Sequence, residues 1–132
     1  MKDPNNPCLF CDIRKSVCAH ENKLAYSSYD SYPVSEHHCL VIPKRHIKDY
    51  FDLTNEELLA CNNLIKIVKN EITYKDKTVR GFNLGTNIGK VSGQSIHHCH
   101  FHLIPRRGGD VENPQGGVRS VIPSKQHYKR KK

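Results

Sequence analysis

Histidines form the strongest chemical signal in this chain. The sequence has nine of them in 132 residues, and four fall within residues 97–102, which read HHCHFH. In an extended strand alternate side chains share a face, so His98, His100 and His102 would lie on one surface and the residues between them on the other. The outer two α-carbons would be roughly 13 Å apart at about 3.3 Å per residue, whereas zinc–nitrogen bonds are about 2.1 Å long. We therefore do not expect one metal ion to bind all three.

Three imidazoles on one surface suit a division of chemical roles. Neutral imidazole is a nucleophile toward phosphorus near neutral pH, and the protonated ring donates hydrogen bonds to phosphate oxygens. We interpret the cluster as one outer histidine with a structural role, a middle histidine that attacks, and a second outer histidine that supplies charge and hydrogen bonds. A metal-buffering strand or a fortuitous cluster is the alternative interpretation.

The elements that would position this cluster predict an α+β fold with an antiparallel sheet. Apolar and aromatic content predicts strands over residues 24–29, 38–42, 80–87 and 97–104. Thr54 and Glu57 have the spacing of a capping box, and apolar residues then recur every three or four positions. We expect the one long helix over residues 55–73.

Length and charge limit the classes of protein to consider. A chain of 132 residues is the size of one domain. Of its net charge of +8, residues 125–132 contribute +5 with no acid, which leaves 8 − 5 = +3 for the rest. We therefore predict one domain over residues 1–124 and a mobile basic tail over 125–132, and nucleic acid is not the expected partner. No stretch resembles a signal peptide or a membrane span, so we expect a cytoplasmic protein whose six cysteines are thiols or metal ligands.

The sequence resembles the histidine triad family, whose motif alternates three histidines with apolar residues. That motif reads HCHFHLI over residues 98–104 and follows GQSI at 93–96. Earlier matches to the family are CLFC at 8–11 and HCLVIPKRHI at 38–47. Residues 108–123 are similar to a tail found in bacterial members that act on diadenosine polyphosphates, and we expect this segment to cover the substrate or to cross a dimer.

The resemblance implies a fold, a reaction and a set of site residues. The fold would be an antiparallel sheet of about five strands with one long helix and a short one, assembled as a twofold homodimer. The enzyme would cleave the bond to the α-phosphorus of an adenosine-containing nucleotide, such as a diadenosine polyphosphate or a nucleoside phosphoramidate, through a nucleotidyl-histidine intermediate with His100 as nucleophile. The implied catalytic residues are His98, His100, His102 and Ser95, and the implied substrate-binding residues are Asp30, His38, Asn87 and Gln94.

A metal site is indicated by the Cys-x-x-Cys spacing of Cys8 and Cys11, which alone is half a site. Completion by Cys18 and His20 would make a local knuckle. Zinc-bearing members of the family instead imply a structural zinc ion held by Cys8, Cys11, His46 and His98, which is the set we favour over the knuckle and over the absence of a metal. Cys39, Cys61 and Cys99 fall on strand or helix positions, where we expect small buried residues.

Two other functions compete with nucleotide hydrolysis. A zinc-dependent nucleic-acid-binding module would use the basic tail, and a noncatalytic nucleotide-binding protein would keep the fold without turnover. Arg106 and Arg107 could extend the positive site toward further phosphates in the favoured interpretation.

Overall fold

Five strands form one antiparallel sheet in a computed structural model that describes residues 8–12 and 18–131. The sheet order is β1-β2-β3-β5-β4, with β1 at Cys18–Glu21, β2 at Ala25–Tyr29, β3 at Cys39–Pro43, β4 at Val79–Gly85 and β5 at Phe101–Arg107. The helix α1 spans Asn55–Lys75 between β3 and β4. These elements confirm the predicted α+β fold, whereas the expected dimer and the boundary at residue 124 stay predictions.

The helix begins where the capping box predicts. The Thr54 hydroxyl accepts a hydrogen bond from the Glu57 backbone N–H at 3.1 Å, and the Glu57 carboxylate accepts one from the Thr54 N–H at 2.9 Å. Glu57 also accepts two bonds from the Arg45 guanidinium, at 2.8 and 2.9 Å. This pair attaches the start of α1 to the loop that carries His46. Apart from α1, the helical elements of the described residues are short 3-10 turns, such as Tyr50–Asp52.

The strand that carries the histidine motif begins at Phe101 rather than at residue 97. The backbone before it bonds elsewhere: the Cys99 N–H donates to the Ile47 carbonyl at 2.8 Å, and the His100 carbonyl accepts from the Thr86 hydroxyl at 2.7 Å. At its other end the strand continues through Pro105 to Arg107. A proline fits there because pairing of β3 with β5 has already ended at Leu103.

The predicted alternation of side chains persists on both sides of that strand start. Cys99 and Phe101 pack into the core beneath α1 with Cys61 and Leu64. On the opposite face the ring of Phe10 lies 5.0 Å from the His100 ring. The histidines and the core residues therefore occupy different faces of the sheet, as the sequence predicts.

Three cysteines are buried in this core, as expected. Burial raises the pKa of Cys39 to about 11 and the pKa of Cys61 and Cys99 to about 12. They are neutral thiols at physiological pH. Within residues 8–12 and 18–131, no helix is both long enough and apolar enough to cross a membrane.

Candidate active site

His98 is fully buried and has one ring nitrogen committed to the backbone. Its Nε2 lies 2.7 Å from the Pro43 carbonyl oxygen, which can only accept, so Nε2 carries the hydrogen. Burial lowers the pKa of His98, which keeps the ring neutral. Nδ1 is consequently left with a lone pair.

The Nδ1 atom of His98 lies in a cluster formed by two cysteines and two histidines. His98 Nδ1 lies 3.4 Å from Cys8 Sγ, 3.5 Å from Cys11 Sγ and 3.2 Å from His46 Nδ1. Cys11 Sγ is 3.1 Å from His46 Nδ1, and all four atoms lie within 4.8 Å of one another. In a tetrahedral zinc site, bond lengths of about 2.1 and 2.3 Å put ligand atoms about 3.4–3.8 Å apart. The donor set and its spacing therefore fit a closed structural zinc site.

The alternative knuckle is not assembled in the described residues. His20 Nε2 lies 2.6 Å from the Glu71 carboxylate on α1, which makes it a link between β1 and the helix. The side chain of Cys18 lies outside the described part of the structure.

His100 has a defined tautomer. Its Nδ1 lies 2.8 Å from the His98 carbonyl oxygen and must donate to it. In the neutral ring Nε2 then carries the lone pair, which is the nitrogen available for attack. His98 thus has two roles. Its backbone carbonyl orients His100, and its side chain belongs to the Cys2His2 cluster, so the cluster is linked to the orientation of His100.

His102 is oriented by His38. The Val34 N–H donates to His38 Nδ1 at 3.1 Å, so His38 Nε2 carries the hydrogen and donates to His102 Nδ1 at 2.9 Å. The Asp30 carboxylate is 3.4 Å from His38 Nε2 and 3.8 Å from His102 Nδ1. This order leaves His102 Nε2 with a hydrogen that it can donate.

Burial keeps both rings of this relay neutral. Desolvation lowers the pKa of His38 against the opposing effect of Asp30. Desolvation, followed by the nearby His100 and His38, lowers the pKa of His102 to about 4. Both nitrogens of His38 are bonded to protein, which puts its ring behind His102, and its predicted contact with substrate stays a prediction.

The Gln94 side chain holds the backbone of two loops together through hydrogen bonds. Its Oε1 accepts from the Gly89 N–H at 3.0 Å, and its Nε2 donates to the Lys48 carbonyl at 2.7 Å and the Ile96 carbonyl at 3.2 Å. Both amide hydrogens are used, so Gln94 holds the loop before the triad in place. Its predicted direct contact with substrate, like those of Asp30 and Asn87, stays a prediction.

Two cavities are lined by residues that the resemblance assigns to the site. The larger, of about 730 Å³, includes Asn87 and His102 and is roofed by residues of the segment 110–126. The smaller, of about 430 Å³, includes Ser95 and Gln94. The structure thus separates Asn87 and Ser95 onto two cavities.

The roof over the larger cavity depends on Gly116. Its φ is +90°, and a β-carbon at this position would collide with the Gln126 backbone oxygen. Arg119 ties the same turn down by donating to the Lys125 and Gln126 carbonyls at 2.7 and 3.2 Å. Residues 125 and 126 are therefore packed against the segment that precedes them.

Arg106 and Arg107 are already neutralised by carboxylates. Arg106 forms two bonds to Asp110, at 2.8 and 2.9 Å, and Arg107 donates to Asp76 at 3.0 Å. The Arg107 guanidinium also helps to hold the pKa of Asp76 below its usual range, after the Thr78 hydroxyl. Arg106 and Asp110 both line the larger cavity, whereas Arg107 and its partner Asp76 lie outside its lining.

Several contacts of the site have no sequence signal. Nothing in the sequence marks Thr86 as the residue that holds the His100 backbone, or Val34 as the donor to His38. Phe10 could have been suspected, because it lies between the two cysteines of the Cys-x-x-Cys motif and must share their surroundings.

Comparison with known proteins finds a matching family and several relatives. The profile of the HIT domain matches residues 13–109. An AP-4-A phosphorylase of Mycobacterium tuberculosis is 37% identical over 83% of this chain and 61% of its own length, and an adenosine 5'-monophosphoramidase of Saccharomyces cerevisiae is 35% identical over 76% and 63%. This chain spans less than two thirds of either relative. A zinc-bound histidine triad family protein of Mycobacterium smegmatis matches the fold with a TM-score of 0.72 and 29% identity, covering 79% of this chain and 78% of that one.

Proposed function

Because this chain belongs to the histidine triad family, we propose that it breaks the bond to the α-phosphorus of an adenosine nucleotide through a nucleotidyl intermediate on His100. The observation that carries this proposal is the 2.8 Å hydrogen bond from His100 Nδ1 to the His98 carbonyl, which leaves Nε2 as a nucleophile. The names of the two relatives support dinucleoside polyphosphates and adenosine phosphoramidates as the substrate classes.

The first displacement forms the bond from His100 Nε2 to phosphorus and breaks the bond to the leaving group. The leaving group departs with the electron pair of that bond: a polyphosphate leaves as an anion, and an amine takes a proton from solvent. The ring of His100 gains positive charge in this step. The His98 carbonyl, which accepts from Nδ1, stabilises that charge.

His102 acts in this scheme as a neutral hydrogen-bond donor. Because its pKa is lowered to about 4, His102 carries no second proton at physiological pH and has none to transfer to the leaving group. Its Nε2–H instead donates to a nonbridging phosphate oxygen, where negative charge accumulates. Ser95 and Asn87 provide further donors from the two cavities.

The second displacement restores the enzyme. Water attacks phosphorus, the bond from phosphorus to His100 breaks, and the pair of electrons returns to Nε2. One proton of the water is released to solvent, and the nucleotide leaves with the new oxygen. Two displacements at one phosphorus replace one difficult step by two easier ones.

The Cys2His2 cluster has a structural role in this proposal. Cys8, Cys11, His46 and His98 would hold a zinc ion, and four protein ligands leave no coordination position for water. The ion would fix His98 and hence the carbonyl that orients His100.

Turnover by variants tests the proposal. Wild type is expected to release AMP from diadenosine tetraphosphate or from adenosine 5'-phosphoramidate, and His100→Gln is expected to lower kcat by about 10⁴-fold or more. His127→Gln, which changes an exposed histidine outside the triad, serves as the matched control. Retention of kcat within tenfold in His100→Gln would exclude His100 as the nucleophile.

A further inference from the structure

The smaller cavity, which opens beside Ser95, has a strongly basic lining. The residues that line it are Lys48, Gly89, Lys90, Gln94, Ser95 and His97. None of the described residues that line it is acidic. Its volume of about 430 Å³ is within the range of small-ligand sites.

Two of the residues that line this cavity, Lys48 and Lys90, carry positive charge. Within residues 8–12 and 18–131, neither Lys48 nor Lys90 forms an ion pair, whereas Lys44 lies 2.6 Å from the Glu21 carboxylate. Two lysines without an ion pair at the edge of one cavity create a positive potential that favours an anion with several charges.

The wall of the cavity is fixed before any ligand arrives. The Gln94 side chain joins the Gly89 backbone to the Lys48 backbone, at 3.0 and 2.7 Å. The neighbouring Ile47 carbonyl accepts from the Cys99 N–H at 2.8 Å, which fastens the Lys48 segment to the triad. A site held in this way loses little freedom when it binds an anion.

We propose that Lys48 and Lys90 form a subsite for the phosphate groups of the leaving nucleotide, so that this chain favours polyphosphate over amine leaving groups. The inference rests on the proposed function, in which Ser95, a residue of this cavity, donates a hydrogen bond to the reacting substrate. As His100 displaces the leaving group, negative charge grows on the departing phosphates, and the two ammonium groups stabilise it. The amine of a phosphoramidate has no phosphate to occupy the subsite.

The test compares two substrates in matched charge variants. The kcat/KM values for diadenosine tetraphosphate and adenosine 5'-phosphoramidate are measured at low ionic strength for wild type, for Lys48→Gln/Lys90→Gln, and for Lys66→Gln/Lys69→Gln. The last pair removes two exposed charges from α1 and serves as the control. Thermal melts of all three proteins show that each variant is folded.

The ratio of the two kcat/KM values is the decisive quantity. Lys48→Gln/Lys90→Gln is expected to lower the ratio of tetraphosphate to phosphoramidate about tenfold, with a smaller effect at high salt. The control is expected to keep the wild-type ratio. An unchanged ratio in Lys48→Gln/Lys90→Gln, or a wild type that cleaves only the phosphoramidate, would overturn the subsite and leave the proposed function intact. Absence of turnover of both substrates by wild type would refute the proposed function and the subsite with it.

Discussion

Protonation of His102 should be visible as a loss of stability in mildly acidic solution. In the folded chain His102 Nδ1 accepts a hydrogen bond from His38 at 2.9 Å, and the ring is desolvated. Both conditions oppose a second proton on the ring. In the unfolded chain the same ring takes up a proton near its ordinary pKa of 6.5.

The size of this effect follows from the two pKa values. A folded pKa of about 4 against 6.5 in the unfolded chain is a difference of about 2.5 units, or about 3 kcal/mol at about 1.4 kcal/mol per unit. Because the folded pKa is the lower one, the unfolded state binds more protons in this window. The stability contribution is therefore complete above pH 6.5 and is lost as the pH falls to about 4.

The assay is denaturant unfolding of wild type and His102→Gln between pH 7.5 and pH 4, a range we choose to bracket both pKa values. The free energy of unfolding of wild type minus that of His102→Gln should fall by about 3 kcal/mol over this range, since the variant lacks the titrating ring. NMR titration of the ring gives its pKa directly. A difference that stays flat with pH, or a folded pKa near 6.5, would refute the relay from Val34 through His38 to His102.

Three further predictions concern the framework of the site. Cys11→Ser should lose bound zinc, measured by metal analysis, and lower Tm by about 8 °C, as expected for about 2 kcal/mol in a domain of this size. Glu57→Gln should cost about 2 kcal/mol in denaturant unfolding, because the amide keeps the capping-box acceptor but cannot form the charged two-bond pair with Arg45. Arg45 lowers the pKa of Glu57 from 4.5 to about 2, so the wild type should lose this contribution as the pH falls through that range. Gly116→Ala should open the roof at Gln126, measured as faster hydrogen exchange over residues 113–128.

Each of these three predictions has its own control or its own contradicting result. Gly108→Ala has no neighbour within 4 Å of the added β-carbon, so it should leave hydrogen exchange of the roof unchanged. Full zinc content in Cys11→Ser would contradict the Cys2His2 site. Equal stability of Glu57→Gln and wild type at pH 7 would show that the Arg45 pair is not stabilising.

The parts of this protein that could be predicted from the sequence have local causes. The capping box at Thr54 and the alternation from Cys99 to Leu103 depend on neighbours in the chain, and both are present. The strand β1 was missed because its four residues, CAHE, are short and mixed in polarity, and pairing with β2 decides their conformation. The strand β5 begins at Phe101, later than predicted, because the preceding backbone forms hydrogen bonds to Ile47 and Thr86, which are distant in sequence.

The features of the site also divide into those with local causes in the sequence and those that depend on distant contacts. The spacing of the histidines indicated which residues could do chemistry, but the tautomer of each ring depends on a partner that only the fold supplies. His38 accepts from Val34 and so donates to His102, and Gln94 uses its whole amide to hold two loops. Neither arrangement has a periodic or motif signal, and the substrate contacts that the family resemblance implies for both side chains stay predictions.

The central claim is covalent chemistry at His100, and intact mass of the protein tests it most directly. Wild type and His100→Gln are mixed briefly with diadenosine tetraphosphate and, separately, with adenosine 5'-phosphoramidate, then quenched in alkali because a phosphoramidate bond is labile in acid. The account predicts an added mass of one adenylyl group in wild type, absent from His100→Gln. Release of AMP by wild type without any adduct, or an adduct that persists in His100→Gln, would contradict it.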